Sequence, residues 1–509
     1  MAAGMTASTT TTCLSRYVSV PMKPDAVEVL KNRFTESRGD VLLSTPDGQD
    51  FTYAQIYANA RKLADDWQAS GVEPGDTVAF VLPNCAGYLA AYIACAVGGF
   101  IANPVVPELL AESIDYILEL AAPKLVIRDE PELDSELDWP EDAEFAFAAQ
   151  PGKAFLNIFS SGTTGSPKGI CHSFGGIIGN ARSFAELSGM NRETRLYHVL
   201  PMAYMAGFQN TQLCPLLAGG RIVLGPAFSP ASAIDFWSRP IEQGVNFMIL
   251  TPSVASALSR LARDPDIKDN IAGIEQIQTT AGQLTSGIRQ QFLETFGKPL
   301  QDCYGVTELG GPFTTQDPES AMSEENVGYV LPELVISVLA DSASAGELWI
   351  KTPFVMLGYL SRDGLDPPVL SDGFMATGDV AEFADGKLTI TGRTKDMIIK
   401  GGINVAPIAI ENSISRIQGV KDVAVIGVRH EFWGEIIVAC IQPRDMENAN
   451  ALKLEVQNHC AHHLATIHRP DHIAIVAELP RAMNGKIQKH ILRDEMADKF
   501  RDKLTGTGK

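Results

Sequence analysis

The chain has 509 residues, too many for one compact core, so two or more domains are expected. With 45% hydrophobic and 20% charged residues it has the composition of an ordinary globular protein. Its formal net charge of −20 excludes the broad basic surface that nucleic-acid binding needs, yet leaves room for a locally positive site for small anions.

Residues 1–20 begin with a Thr/Ser/Ala-rich stretch that lacks a basic end and an apolar centre, and are expected to be a flexible terminus rather than a signal peptide. The eight cysteines (Cys13, Cys85, Cys95, Cys171, Cys214, Cys303, Cys440, Cys460) form no CxxC pair and read as reduced thiols of a cytoplasmic protein. Phe51–Tyr53 leads into an amphipathic stretch, Ala54–Ser70, with Ile56, Ala60, Leu63 and Trp67 at helical spacing. Val78–Leu82 reads as a buried strand, and the alternation predicts parallel sheets covered by helices. The uncharged run Ala86–Ala102 is shorter than the roughly 20 residues of a membrane span. Gly98-Gly99 splits it, which predicts a buried helix followed by a strand, with no membrane span. The acidic segment Asp129–Glu144 is expected to be a surface loop.

Residues 160–169, Ser-Ser-Gly-Thr-Thr-Gly-Ser-Pro-Lys-Gly, follow the apolar strand-like segment Ala154–Phe159. Glycines let such a loop turn tightly and approach a ligand, and hydroxyls with backbone N–H groups can replace the water around a polyphosphate. It is not a Walker A loop, because Pro167 precedes Lys168 and Gly169 follows it, which excludes a P-loop kinase or ATPase. Further strands are expected at Arg195–Leu200, Arg221–Leu224, Phe247–Leu250, Ile277–Thr280, Glu347–Lys351 and Lys387–Thr391, with a turn at Gly219-Gly220. Asp235, in Ile234-Asp235-Phe236-Trp237, stands in what reads as a helix. A boundary is expected at Gly392–Asp396. Beyond it come a helix near Pro407–Ile417, strands at Val423–Val428 and Ile436–Gln442, a helix near Lys453–Leu464 and a strand at Ile473–Val476, a compact α+β unit. His459, His462, His463, His468 and His472, with Cys460, match no zinc-ligand spacing and read as solvated.

Several elements together resemble the adenylate-forming superfamily of acyl- and aryl-CoA synthetases, carrier-protein adenylation domains and luciferases. The loop at 160–169 is similar to its phosphate-loop motif. Tyr304-Gly305-Val306-Thr307-Glu308 resembles its aromatic-Gly-x-Thr-Glu element and Ala376-Thr377-Gly378-Asp379 its Thr-Gly-Asp element. Gly392-Arg393-Thr394-Lys395-Asp396 resembles its hinge, and Asn484-Gly485-Lys486-Ile487 its C-terminal lysine element. The resemblance spans roughly residues 40–495, in the family's order, and is closest in appearance to acyl- or aryl-CoA ligases. It implies an α/β fold: a large N-terminal domain of α/β sheets with a small β-rich subdomain, residues 21–394, and a smaller mobile α+β lid, residues 395–509, hinged near Lys395.

The implied reaction joins a carboxylic acid to AMP with loss of pyrophosphate and passes the acyl group to the thiol of CoA. The alternative acceptor is the phosphopantetheine arm of an acyl carrier protein. ATP, Mg²⁺ and CoA are the implied cofactor and co-substrates. By the resemblance, Lys486 bridges the carboxylate and the α-phosphate, Thr307 donates to the α-phosphate, and Glu308 holds Mg²⁺. Ser160, Ser161, Gly162, Thr163, Thr164, Gly165 and Lys168 surround the phosphates. Asp379 accepts from the ribose hydroxyls, or alternatively only shapes the turn after Gly378, and Arg393 donates to ribose or phosphate. Gly282, Gln283, Asp302 and Tyr304 frame the adenine, with Tyr304 stacked on it. Tyr204, Met205, Gly207 and Phe208 are expected to line the acyl pocket, whose apolar neighbours favour an uncharged acyl or aryl group. Tyr204 stands where the family usually has His. Amino-acid-activating relatives place an acid near Asp235. Lys395 is the expected hinge, and Gly401-Gly402 would either admit the thiol arm or form a tight turn. Pro480 to Lys486 has the form Pro-x4-Gly-Lys, similar to the substrate motif of protein acyltransferases, so acylation of Lys486 would remove its charge.

Overall fold

The computed structural model describes residues 25–160, 167–226, 228–229, 232–323, 325–339, 345–481 and 486–499. The expected flexible terminus, the loop residues Ser161, Gly162, Thr163, Thr164 and Gly165, and the Asn484-Gly485 turn lie outside them. The fold is mixed α/β, a large N-terminal domain with a smaller C-terminal one.

The helix Tyr53–Ala69 starts on a capping box, in which Thr52 accepts from the Gln55 N–H and the Gln55 side chain accepts from the Thr52 N–H. Its apolar stripe buries Ile56, Ala60 and Trp67. The uncharged run folds as the helix Ala86–Gly98 and the strand Ile101–Val105, separated by Gly99 at φ 72°. Nearly every face of that helix is buried, which accounts for its lack of charge. Among the described residues no helix is long and apolar enough to cross a membrane. The acidic loop is pinned at its end: Trp139 meets the Tyr57 ring edge-on at 4.9 Å, and the Tyr57 hydroxyl donates to the Ala146 carbonyl at 2.8 Å.

Two seven-stranded sheets carry the large domain. One runs 301–302, 276–279, 247–250, 195–198, 221–224, 41–44 and 50–52, parallel throughout except at its last pair. The other runs 364–366, 358–361, 168–173, 154–160, 101–105, 77–81 and 125–127. Its strands Ala154–Ser160 and Lys168–Ser173 are antiparallel with Ser160 opposite Lys168, so the Ser/Thr/Gly run is the connection of a hairpin. A six-stranded antiparallel sheet follows, in which Asp379 and Arg393 are direct cross-strand partners.

One sequence expectation fails. Ile234–Trp237 is a series of turns, and the helix begins only at Ser238. Pro240 has no N–H to donate and would clash inside a helix begun at Ile234. The Asp235 carboxylate instead accepts from the Ser238 hydroxyl on the exposed surface.

The C-terminal unit is built on Val420–His430 and Gly434–Pro443, antiparallel, with His472–Ile475 parallel to the second. The helices Pro407–Ser415, Ala449–His463 and Lys489–Lys499 complete it. Lys400, 8% exposed, donates to both Asp471 oxygens at 2.7 and 2.8 Å, which satisfies a cation otherwise too costly to bury. The His459 ring shares a 3.0 Å hydrogen bond with the Ser413 hydroxyl and lies 4.4 Å from the His463 ring. Among the described residues no group of three His, Cys, Asp or Glu is placed to hold a metal.

The two domains touch through the helices Ser286–Phe296 and Pro407–Ser415. A Cβ on Gly287 would lie 2.2 Å from the Ser415 carbonyl oxygen, so only glycine allows this approach. Beside it, Glu325 accepts from Asn412 and from Arg416, both at 2.9 Å.

Candidate active site

Three neighbouring structures converge on one cleft. Parallel strands Gln276–Thr279 and Gln301–Asp302 end side by side, with Thr279 opposite Asp302. In open α/β sheets the crevice beyond the carboxyl ends of strands is where ligands bind. Ala281-Gly282-Gln283 leaves the first strand in a bend, with Ala281 at φ 67°, a conformation that costs a residue with a Cβ. Gly282 and Gln283 are exposed there. Asp302 accepts from the Thr279 hydroxyl at 3.2 Å, and burial pushes its carboxyl up to about 7.

Tyr304 links this corner to the six-stranded sheet. Its hydroxyl donates to Asp379 Oδ2, while Arg393 Nε donates to Oδ1 at 2.6 Å. The Asp379 N–H is fixed by the Thr377 hydroxyl at 3.1 Å. The carboxylate is 5% exposed, so its orientation is set before any ligand arrives. Burial first, and the Asp379 charge second, raise the Tyr304 phenol well above its ordinary range, so it remains a donor. The Tyr304 ring packs edge-on against Phe313 at 5.1 Å.

Tyr304 passes into the short strand Gly305-Val306, and the 3₁₀ turn Thr307–Leu309 carries Thr307 and Glu308. Gly310 and Gly311, at φ 93° and 116°, reverse the chain behind that turn. Glu308 Oε1 accepts from the Tyr359 hydroxyl at 3.1 Å, and Lys168 Nζ stands 5.7 Å from the centre of the Tyr359 ring. Tyr359 thus joins the hairpin with the phosphate-type loop to the Glu308 turn. The sequence reading missed it, since only the fold brings residue 359 to residue 308.

The C-terminal domain supplies Lys486. Residues Arg481 and Ile487 pair as a β-bridge, which closes the segment bearing the lysine. Lys486 is exposed as a residue. Partial desolvation of its amine depresses its pKa, the Arg393 charge depresses it further, and Asp379 and Glu308 push it back up. The ammonium is thus within electrostatic reach of two carboxylates that belong to separate parts of the cleft.

Lys395 lies on the 3₁₀ turn Thr394–Asp396 that joins the domains, and burial together with Arg393 lowers its pKa. Asp396 accepts from Arg493 at 2.6 Å, which ties the turn to the last helix. Gly401 and Gly402, at φ 58° and 82°, make a hairpin turn. A Cβ on Gly401 would come 3.1 Å from the Trp433 ring, whereas one on Gly402 would meet nothing within 4 Å.

The expected acyl-pocket residues divide. Tyr204 is partly buried and Met205 buried. Phe208 is buried in the core, its ring 4.1 Å from that of Tyr92. Gly207 is required by packing, because a Cβ there would lie 1.9 Å from the Pro201 carbonyl oxygen. Gly207 lies in the π-helix Ala206–Leu213, whose residues Gln209, Asn210, Thr211 and Gln212 are all buried. Four successive buried polar residues are a readable signal that the apolar expectation overlooked.

The chain matches known proteins over most of its length. Residues 30–360 match the AMP-binding enzyme family, and residues 409–486 match the AMP-binding enzyme C-terminal domain. The chain is 28% identical to an indoleacetate–CoA ligase of Aromatoleum aromaticum, over 89% of this chain and 94% of that protein. It is 28% identical to a feruloyl-CoA synthase of Amycolatopsis sp, over 88% and 94%. Among solved structures, ATP-bound MatB from Rhodopseudomonas palustris superposes with a TM-score of 0.81 at 24% identity, covering 94% of this chain and 100% of that one. The anthranilate CoA ligase AuaEII in complex with anthranoyl-AMP gives 0.82 at 21% identity, covering 94% and 99%.

Proposed function

The chain belongs to the AMP-binding enzyme family, and from that premise we propose that it is an AMP-forming acid–thiol ligase that makes acyl-CoA from a carboxylic acid, ATP and CoA. The observation that carries this reading is the fixed Asp379 carboxylate, bonded by Tyr304 and Arg393, with the Thr307–Glu308 turn following Tyr304 in the same cleft. The CoA ligase names of the relatives favour CoA over a carrier protein as acceptor.

In the first half-reaction a carboxylate oxygen attacks the α-phosphorus of ATP. The bond from that phosphorus to the bridging oxygen breaks, and pyrophosphate leaves. Two anions must approach each other, so a cation aimed at their junction lowers the barrier most. Lys486 is that cation, and Thr307 donates to the α-phosphate beside it. Asp379 accepts from the ribose hydroxyls, held for this by Tyr304 and Arg393, and the Gly282–Gln283 bend with Asp302 frames the base. Lys168 and Ser160 stand at the phosphate end.

The cleft offers Mg²⁺ a hard oxygen donor in Glu308, and one carboxylate suffices because phosphate and water supply the other ligands. When bound, the ion would offset phosphate charge. In the second half-reaction the CoA sulfur attacks the acyl carbon and loses its proton. The acyl carbon–oxygen bond to AMP breaks, and AMP departs. The domain contact at Gly287 and the turn at Lys395 support a rotation between the two steps, with Gly401-Gly402 replacing Lys486 at the site. Incubation with ATP, a panel of acids and either CoA or a phosphopantetheinylated carrier protein tests the acceptor. Acyl-CoA and AMP in equal amounts are expected; acyl loading of the carrier alone would overturn the CoA assignment.

Two further results are expected. Gly287→Ala overpacks the docked interface, and overpacking costs about 1–3 kcal/mol. Acyl-AMP formation should therefore slow by roughly tenfold, while thioester formation from supplied acyl-AMP is spared. The melting temperature should hold, since alanine favours the helix. The second result concerns pH. A depressed lysine pKa means the active ammonium is present at low pH and lost as pH rises through a value below the ordinary 10.5. The alkaline limb of acyl-AMP formation should lie below that value, and Lys486→Arg should move it upward in a pH–rate profile.

A further inference from the structure

The helix Phe174–Leu187, the π-helix Ala206–Leu213 and the strand Gly311-Pro312 pack against one another immediately behind the Thr307–Glu308 turn. Two fully buried amides meet there. Gln209 Nε2 donates to Asn180 Oδ1 at 2.5 Å, and both residues are 0% exposed. The pair is left half used. The Asn180 amide nitrogen and the Gln209 amide oxygen have no partner, and both side-chain atoms of the neighbouring Asn210 are also unpaired. Turning both amides over would exchange the roles but still leave one donor and one acceptor.

The position of the pair is set by the chain that carries Glu308. Gly311, three residues beyond Glu308, has no side chain, and a Cβ there would lie 3.1 Å from Gln209 Oε1. A Cβ on Gly310 would lie 3.6 Å from the Asn180 Cβ. The unused Gln209 acceptor therefore sits against the backbone at Gly311, and Asn180 stands beside Gly310. The π-helix is held in its wide form by two side chains, Thr211 Oγ1 and Gln212 Nε2, which donate to the Gly207 carbonyl at 2.9 and 3.0 Å. Widened turns of this kind are rare and recur at functional sites. Burying an amide donor and acceptor without partners is costly, and the cost is recovered if a ligand supplies both halves of the missing pair.

We propose that Asn180 and Gln209 are specificity-determining residues that select acids carrying a neutral group able both to donate and to accept a hydrogen bond, a hydroxyl or a carboxamide, over their plain hydrocarbon counterparts. This rests on the ligase reading above and deepens it by naming the class of acid. It also replaces the purely apolar pocket expected from Met205 and Phe208. A site built to bond a substrate hydroxyl discriminates strongly against the analogue lacking it, because its own polar groups are then stranded.

The test uses the full chain with ATP, Mg²⁺ and acids matched in pairs: phenylacetate with 4-hydroxyphenylacetate, cinnamate with 4-hydroxycinnamate, and hexanoate with 6-hydroxyhexanoate. Pyrophosphate exchange gives kcat/KM for each. At least one pair should favour the hydroxylated member by roughly 10–100-fold, and Gln209→Met should bring that ratio close to one. Asn180→Leu makes the same measurement if the first variant does not fold, and the wild-type ratios need no variant. Parity or preference for the plain acid in every pair overturns the assignment and leaves the ligase reading standing. So does a preference that neither variant moves, which is the result if the amides bind only internal water. Failure of every acid to support exchange overturns the ligase reading, and this inference with it.

Discussion

Lys486→Ala is expected to lower acyl-AMP formation by roughly two to three orders of magnitude, while thioester formation from supplied acyl-AMP and CoA persists. Removing one preorganised group that meets developing transition-state charge costs about 3–4 kcal/mol where water is excluded. Lys486 lies within electrostatic reach of Arg393, Asp379 and Glu308, and bound ATP and acid would complete the exclusion of water around it. The loss should fall on kcat rather than on the apparent affinity for ATP, which the ribose and phosphate contacts set. The split between the half-reactions is the informative part. A lysine that only stabilised the folded C-terminal domain would reduce both steps together. Single-turnover assays of each half-reaction, with the melting temperature of the variant, make the distinction.

Asp379→Asn should reduce kcat/KM for ATP by roughly a hundredfold or more, the scale of one or two charge-assisted hydrogen bonds worth about 1.5–3 kcal/mol each. The replacement keeps the shape, but it removes the charge that pairs with Arg393 at 2.6 Å and that Tyr304 also addresses. An amide cannot accept at both ends, so one ribose hydroxyl loses its partner. Arg393, on the opposing strand, is left beside a neutral group. Tyr304→Phe leaves the carboxylate and its charge intact, removes one of its donors, and should cost only about tenfold. Equal losses in the two variants would show that the tyrosine, not the carboxylate, sets nucleotide affinity. Initial-rate kinetics over a range of ATP concentrations provide both numbers.

The parts of this cleft that lie within a few residues of one another were readable from the chain. Thr307 and Glu308 fall on one short turn, Asp379 follows Gly378 on a strand, and the segments Arg221–Leu224 and Phe247–Leu250 form strands with the expected bounds. Apolar runs of that length between turn residues have few alternatives. Pairings across the chain were not readable. The hairpin that places Lys168 opposite Ser160 sets two antiparallel strands beside a parallel run, and nothing local marks that reversal. Tyr359 reaches Glu308, and Gln209 reaches Asn180, only because sheets and helices pack. The difference at Asp235 has a local cause, since Pro240 forbids a helix begun at Ile234 whatever the apolar flanks suggest. The contact of the Phe208 ring with the buried ring of Tyr92 likewise depends on packing between distant segments.

Acid-dependent exchange of labelled pyrophosphate into ATP, run on the wild type and on Lys486→Ala in parallel, bears most directly on the assignment. Exchange that requires a carboxylic acid in the wild type and falls by at least a hundredfold in the folded variant is the predicted result. Exchange that proceeds equally well without the lysine, or release of ADP and phosphate regardless of added acid, would contradict it.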